Sequence, residues 1–225
     1  MNIFKKTLAL VAVSVASLAS VANADSSTFA GPYLALQASA IGVEIDGSHT
    51  DNTLADRKTN NGSTGMIGNT GSVQAGYNLP VSDMVFITIG GTHTPTGEAS
   101  MSSKSLGGGE KFDIELSDIQ EVFIEPSFMV ASNAAMFLHI GRSTADIAVS
   151  GNEVTNKTTN LDGDTFAVGL KVMTDSNIFL KAEAGQTSFD ELKVTGIGDA
   201  DEGTTATAKG SPTVAFGTIS VGYKF

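Results

Sequence analysis

The sequence predicts an all-β chain, an eight-stranded antiparallel up-and-down transmembrane β-barrel. Three observations carry that prediction. Segments that alternate apolar and polar residues recur about eight times along the chain. The connections between them alternate strictly between long polar stretches and short turns. The sequence then finishes on one such segment, "TVAFGTISVGYKF", with an aromatic residue last and no polar tail behind it.

The first stretch is different in kind. Lys5 and Lys6 precede an apolar run from Leu8 to Leu18, and small residues follow, ending in Ala22-Asn23-Ala24. This is the pattern of a secretory signal peptide with an A-x-A cleavage site before Asp25. The expected organisation is therefore a signal peptide at residues 1–24 and one domain at residues 25–225. The chain carries 24 Asp and Glu against 13 Lys and Arg. Removing a leader that holds two lysines and no acid makes the remainder more acidic still, which argues against a nucleic-acid partner. With no cysteine anywhere, disulfides and thiolate metal sites are excluded. Glycine is abundant at 25 residues, tryptophan is absent and charged residues make up only 16%, a composition that suits tightly paired strands better than helices.

The strand segments follow in order. "GPYLALQASA" opens the series. "GSVQAGYNL" sets Val73, Ala75, Tyr77 and Leu79 on one face, and "MVFITIGG" does the same with Val85, Ile87 and Ile89. "IQEVFIEPSFMV" sides Val122, Ile124 and Phe128 together, although Pro126 within it cannot donate to a ladder, so a bulge or early fraying is expected near that periplasmic end. In "AMFLHIGRS", Leu138 and Ile140 facing lipid would carry Arg142 outward as well. An outward arginine costs about 2–4 kcal/mol near the bilayer midplane, so a register shift at Gly141 that turns Arg142 inward is expected. "DTFAVGLKVM" and "NIFLKAEAG" alternate cleanly, and the terminal segment sets Ile219, Val221, Tyr223 and Phe225 on one side.

Short connections surround Pro80, Asn133 and Asp175, and the long ones span roughly residues 46–63, 96–110, 150–162 and 190–210. A soluble sandwich has no reason to sort its loops by end, whereas a bacterial outer-membrane barrel has short periplasmic turns and longer extracellular loops. The faces opposite the apolar ones then line the interior. They carry Gln37, Ser39, Ser72, Gln74, Glu121, Glu125, Lys171, Lys181, Glu183, Thr218 and Ser220. Joined by Arg142 if Gly141 shifts the register, the carboxylates Glu121, Glu125 and Glu183 and the cations Lys171 and Lys181 are expected to form a charge network across the lumen. Paired charges are far cheaper to desolvate than lone ones.

With these residues in place, the chain resembles the small outer-membrane β-barrel proteins of Gram-negative bacteria, the OmpA transmembrane domain, OmpX and opacity-protein group. In that group the final strand and its terminal Phe look like the signal read by the barrel-assembly machinery, and Ile219, Val221, Tyr223 and Phe225 match that pattern. The resemblance implies residence in the outer membrane, contact with lipid and lipopolysaccharide, and loops that meet host or phage surfaces. It also brings to mind small barrels that modify lipid A. Deacylases of the PagL type carry His-x-Ser, but here His139 is followed by Ile140 and Gly141. His139 and Ser143 share a face yet stand about 13 Å apart on a strand, beyond hydrogen-bond reach. His93 is placed near the outer rim and His49 in a polar loop, so no catalytic residue and no cofactor is expected. Acidic clusters at residues 199–203 and 161–164 resemble calcium loops, but Gly210 stands where such a loop would place its bidentate Glu, so no metal site is assigned. "GGGEK" at residues 107–111 lacks phosphate-loop spacing. The reading is a plugged barrel acting through acidic loops as a structural and surface-interaction protein, with a passive channel as the alternative and a lipid A-modifying enzyme as the third choice.

Overall fold

The computed structural model describes residues 25–52, 57–95, 99–102, 112–151, 154–197 and 205–225. The expected signal peptide at residues 1–24 and the clusters at residues 107–111 and 199–203 lie outside the described residues. Within them the chain forms a short 3-10 helix, Ser26–Phe29, and ten strand segments. These are β1 (Gly31–Asn52), β2 (Arg57–Ser82), β3 (Val85–Thr94), β4 (Ala99–Ser102), β5 (Phe112–Ala131), β6 (Ala134–Gly151), β7 (Val154–Met173), β8 (Ile178–Phe189), β9 (Leu192–Ile197) and β10 (Thr205–Lys224).

Ten segments make eight walls. β3 and β4 pair in turn with successive stretches of β5, and β8 and β9 do the same with β10, so β4 extends the line of β3 and β9 that of β8. All the ladders are antiparallel, and β1 pairs with β10 from Tyr33 opposite Lys224 to Asp51 opposite Ala206, which closes the barrel. Closure leaves no free edge in the wall, the condition for crossing a bilayer with strands. The expected short turns are present at Asp83–Met84, Ser132–Asn133 and Asp175–Ser176. At the last of them Asn177 takes a positive φ of 60°, which asparagine tolerates better than most residues.

Two local expectations are corrected, and a third is located. Two of the long polar stretches are mostly ladder: β1 runs to Asn52 and β2 starts at Arg57, while β6 runs to Gly151 and β7 starts at Val154. Polar residues there satisfy the ladders without showing the hydrophobic alternation that reveals a strand. The bulge expected near the short-turn end of the Pro126 strand is present: Pro126 itself sits opposite Ile87 in unchanged register, and the shift falls between Met129 and Ala131, beside the turn. Gly141 carries no shift either, since β6 pairs with β7 in unbroken register from Ala134 to Val149. A second irregularity, between Ser117 and Gln120, coincides with a positive φ of 46° at Asp118.

The interior is filled in layers. At the short-turn end Phe29, Tyr33, Ala35, Phe86, Met129, Ala135, Met173 and Phe179 form one buried apolar cluster. The 3-10 helix is its cork. Phe29 stacks on Phe86 with centroids 4.9 Å apart. Asn78 Nδ2 donates to the Phe29 carbonyl at 2.8 Å, Ser26 Oγ to the Ser82 carbonyl at 2.6 Å and Lys224 Nζ to the Thr28 carbonyl at 2.9 Å. Asp25 caps the helix, its carboxylate accepting from the Ser27 N–H at 2.9 Å, a bond that lowers its pKa below the ordinary aspartate value. Toward the other end Ile41, Val43, Leu116, Ala145, Ile147, Leu161, Phe189, Leu192 and Val214 form a second buried apolar cluster. Since Phe29 is fully buried, Phe29→Ala is expected to cost about 3 kcal/mol, read as a lower urea midpoint for the barrel refolded in detergent, with unchanged β circular dichroism.

Candidate functional site

Between the two apolar clusters lies a belt of charged and polar side chains contributed by inward positions around the barrel wall. Glu121 and Glu125 come from β5, His139 from β6, Lys171 from β7, and Lys181 and Glu183 from β8. Glu125 is its hub and is wholly buried. One of its oxygens lies 2.5 Å from Lys181 Nζ, the other 3.4 Å from Lys171 Nζ, and His139 Nδ1 is 2.9 Å away. Glu183 meets Lys181 at 3.1 Å, and Glu121 meets His139 Nε2 at 3.0 Å. Five of the six residues expected in the network, Glu121, Glu125, Lys171, Lys181 and Glu183, are thus brought together.

Carboxylates are only half of what holds the two ammonium groups. Lys171 Nζ lies 5.3 Å from the ring centroid of Tyr33 and 5.7 Å from those of Phe86, Phe137 and Phe179. Lys181 Nζ lies 4.7 Å from the Phe137 ring and 5.6 Å from that of Phe123. A desolvated cation over an aromatic face gains about 2 kcal/mol. The lysines therefore sit where the lower apolar cluster meets the acidic belt.

Glycine makes room for this arrangement. A Cβ at Gly141 would overlap the carboxyl group of Glu121, so the residue clears the path by which Glu121 reaches His139. A Cβ at Gly169 would likewise overlap the Phe137 ring that both lysines approach.

Arg142 does not join the belt. With Gly141 in register, parity keeps Arg142 on the outer wall, and its charge is met there instead: Asp164 accepts from Nη1 at 2.7 Å, while Asp162 and Asp190 stand 3.4 and 3.8 Å from Nη2. Asp162 and Asp164, read from the sequence as part of a calcium-like loop, lie on the outward face of β7. His93 is on the outer face 3.7 Å from Asp118. The side chain of His49 is outside the described residues.

His139 is the member that sequence reasoning missed. Its ring is held by Glu121 and Glu125, tilted against Phe123 with centroids 4.6 Å apart, and Ser143 Oγ bonds to Thr165 Oγ1 at 2.7 Å. No nucleophile is within its reach among these contacts. Glu125, His139 and Glu183 also place three potential metal-ligand atoms within 4.8 Å of one another. Lys181 Nζ already stands 2.5 and 3.1 Å from the two carboxylates of that set, so an ammonium fills the position a cation would take.

Above the belt is a cavity of about 90 Å³. Glu121, His139 and Glu183 form its acidic side, hydroxyls such as Ser72 and Thr92 its walls, and Phe189 and Phe216 its apolar roof. That volume accommodates a few water molecules.

Residues 9–225 match the family described as outer membrane protein beta-barrel domain. The chain belongs to that family. This outer-membrane barrel resembles in fold three solved structures. One is Ail, the attachment invasion locus protein of Yersinia pestis, at 8% identity, covering 80% of this chain and 97% of that one with a TM-score of 0.36. Another is the outer membrane protease OmpT from Escherichia coli, at 8% identity, 86% and 97% coverage and a TM-score of 0.43. The third is Neisserial surface protein A, at 13% identity, 81% and 96% coverage and a TM-score of 0.34. No curated protein matches the sequence.

Residence in the outer membrane gives the outward faces their solvent. Leu34, Leu36, Tyr77, Leu79, Ile89, Val122, Ile124, Leu138, Ile140, Leu170 and Leu180 are exposed on the barrel wall, where they meet acyl chains. Ile219, Val221 and Tyr223 continue the same surface on β10 and Phe225 just beyond it, with the Tyr223 and Phe225 rings edge to face at 5.2 Å.

Proposed function

We propose that this outer-membrane barrel is sealed, and that it acts as a structural and surface-interaction protein through the ribbons at its long end. The observation that carries the reading is the filling of the lumen: an apolar cork, a charge belt and a second apolar cluster follow one another along the barrel axis. An eight-stranded barrel encloses a space that side chains can just fill. The belt adds an electrostatic barrier, because an ion entering it must displace charges already paired at hydrogen-bond distance.

In this reading residues 1–24 direct export and are removed, the short turns and both ends of the mature chain face the periplasm, and the ribbons project outside the cell. Most of the acidic residues fall in the ribbon half. Their partners are then cationic surfaces of a host or phage, or lipopolysaccharide phosphates bridged by divalent ions. No enzymatic step is assigned, since His139 is enclosed by carboxylates and Ser143 is bonded elsewhere.

Single-channel recording of the refolded protein in planar bilayers tests the reading. At neutral pH no steady conductance is expected. A persistent open-pore current would favour the passive-channel alternative instead.

A further inference from the structure

Both ring nitrogens of His139 face carboxylate oxygens, Nδ1 to Glu125 at 2.9 Å and Nε2 to Glu121 at 3.0 Å, and Glu183 stands 3.8 Å from Nδ1. A neutral imidazole has one N–H and one lone pair. In either neutral tautomer a lone pair would point at a carboxylate across hydrogen-bond distance. Only the imidazolium donates to both.

The charges around the ring agree. β5 contributes Glu121 and Glu125, β8 contributes Glu183 and Lys181, and β7 contributes Lys171. β1 adds the hydroxyl of Tyr33, while β2, β3 and β10 add the neutral side chains of Gln74, Thr88, Thr92, Thr218 and Ser220. Three carboxylates thus face two ammonium groups, and the imidazolium supplies the third positive charge. In a dry interior a single uncompensated charge is costly.

We propose that the proton on His139 is a latch for the lumen: while it is present the belt is neutral and shut, and its loss as the pH is raised leaves a net negative belt that draws water and a monovalent cation into the cavity above. The latch rests on the sealed-barrel reading. It also assigns the cavity a use, because Glu121, His139 and Glu183, whose balance the proton sets, form its acidic side. The imidazolium joins β6 to the two β5 carboxylates, and Glu183 and Lys181 carry the same network onto β8, so one proton ties together walls that are not neighbours.

The test combines bilayer recordings in potassium chloride over a range of pH, on wild type and His139→Gln, with nitrogen NMR of the imidazole rings in the folded full-length barrel. The His139 signal is assigned by its loss in the variant. The expected result has both His139 nitrogens protonated at neutral pH and the wild type closed. On raising the pH, cation-selective openings should grow about tenfold per pH unit while the imidazolium still predominates. His139→Gln should open at neutral pH and lose that dependence. A singly protonated His139 at neutral pH overturns the latch, and so does a wild type that stays closed after the spectra show the proton gone. If the variant does not fold, these two wild-type readouts decide alone. A wild type that conducts equally at every pH overturns the sealed-barrel reading, and the latch with it, whatever the spectra show.

Discussion

Glu125→Gln should lower the stability of the folded barrel by about 3–5 kcal/mol, the largest loss expected from any near-isosteric change in the chain. The side chain is fully buried and touches Lys181, Lys171 and His139 at once. Glutamine keeps the volume but removes the charge, leaving two ammonium groups and an imidazolium against Glu121 and Glu183 alone. Its amide NH₂ must also face one of those cations. Removing one cation in compensation should restore much of the loss. Lys171→Met is the natural choice, because the rings of Tyr33, Phe86, Phe137 and Phe179 that surround the ammonium make good contacts with a thioether. The double variant is expected to recover at least half of the stability lost. Equilibrium urea unfolding followed by circular dichroism measures this, since the chain has no tryptophan to report by fluorescence. A loss below about 1 kcal/mol for Glu125→Gln would show that water screens the belt and that it is no barrier.

Deleting Phe225, or replacing it with Asp, should reduce the level of assembled protein in the outer membrane several-fold while leaving refolding into detergent nearly intact. The structure supplies the reason for separating the two. Phe225 is 70% exposed on the barrel wall, and its side chain's close partner is the Tyr223 ring. Its backbone N–H donates to the Pro32 carbonyl at 3.0 Å, a contact that the Asp variant keeps. Little internal packing is lost by either change, so an effect on assembly reports recognition of the terminal side chains Ile219, Val221, Tyr223 and Phe225. Quantifying folded protein in membrane fractions by heat-dependent gel mobility, beside the same measurement on refolded protein, separates the outcomes. Equal losses in both would make Phe225 a stability residue only.

Strand parity was legible because lipid enforces it. Along β5, β7 and β8 every outward position is apolar or small through the membrane band, so Glu121, Glu125, Lys171, Lys181 and Glu183 had to point inward. The aromatic half of the belt was not legible for the same reason. Tyr33, Phe86, Phe137 and Phe179 break the simple alternation by being apolar and inward, and only the closed barrel shows that they surround Lys171. Gly141 illustrates a second limit. A glycine beside an arginine that would otherwise face lipid reads as a register shift, yet its role is to leave space for Glu121, a residue twenty positions earlier and adjacent only through the β5–β6 ladder. Arg142 could stay outward because Asp162, Asp164 and Asp190, distant in sequence or apparently in a loop, converge on it. His139 shared the inward parity of its strand, but a histidine alone in a sequence does not announce that two glutamates bracket it.

The ladder between β1 and β10 sets the order in which the chain can mature. Tyr33 is paired with Lys224, and Ala35 with Gly222, so the wall cannot close until β10 has been made and delivered. Before that moment β1 and β10 each present an unpaired edge, the surface most prone to pair with a neighbouring chain. Lys171 likewise lacks one of its four aromatic faces, because Tyr33 is supplied by the first strand. Pairings of such long sequence separation form slowly. Until then the chain is open and prone to aggregate, and closure waits on the meeting of β1 and β10, not on the formation of any single hairpin.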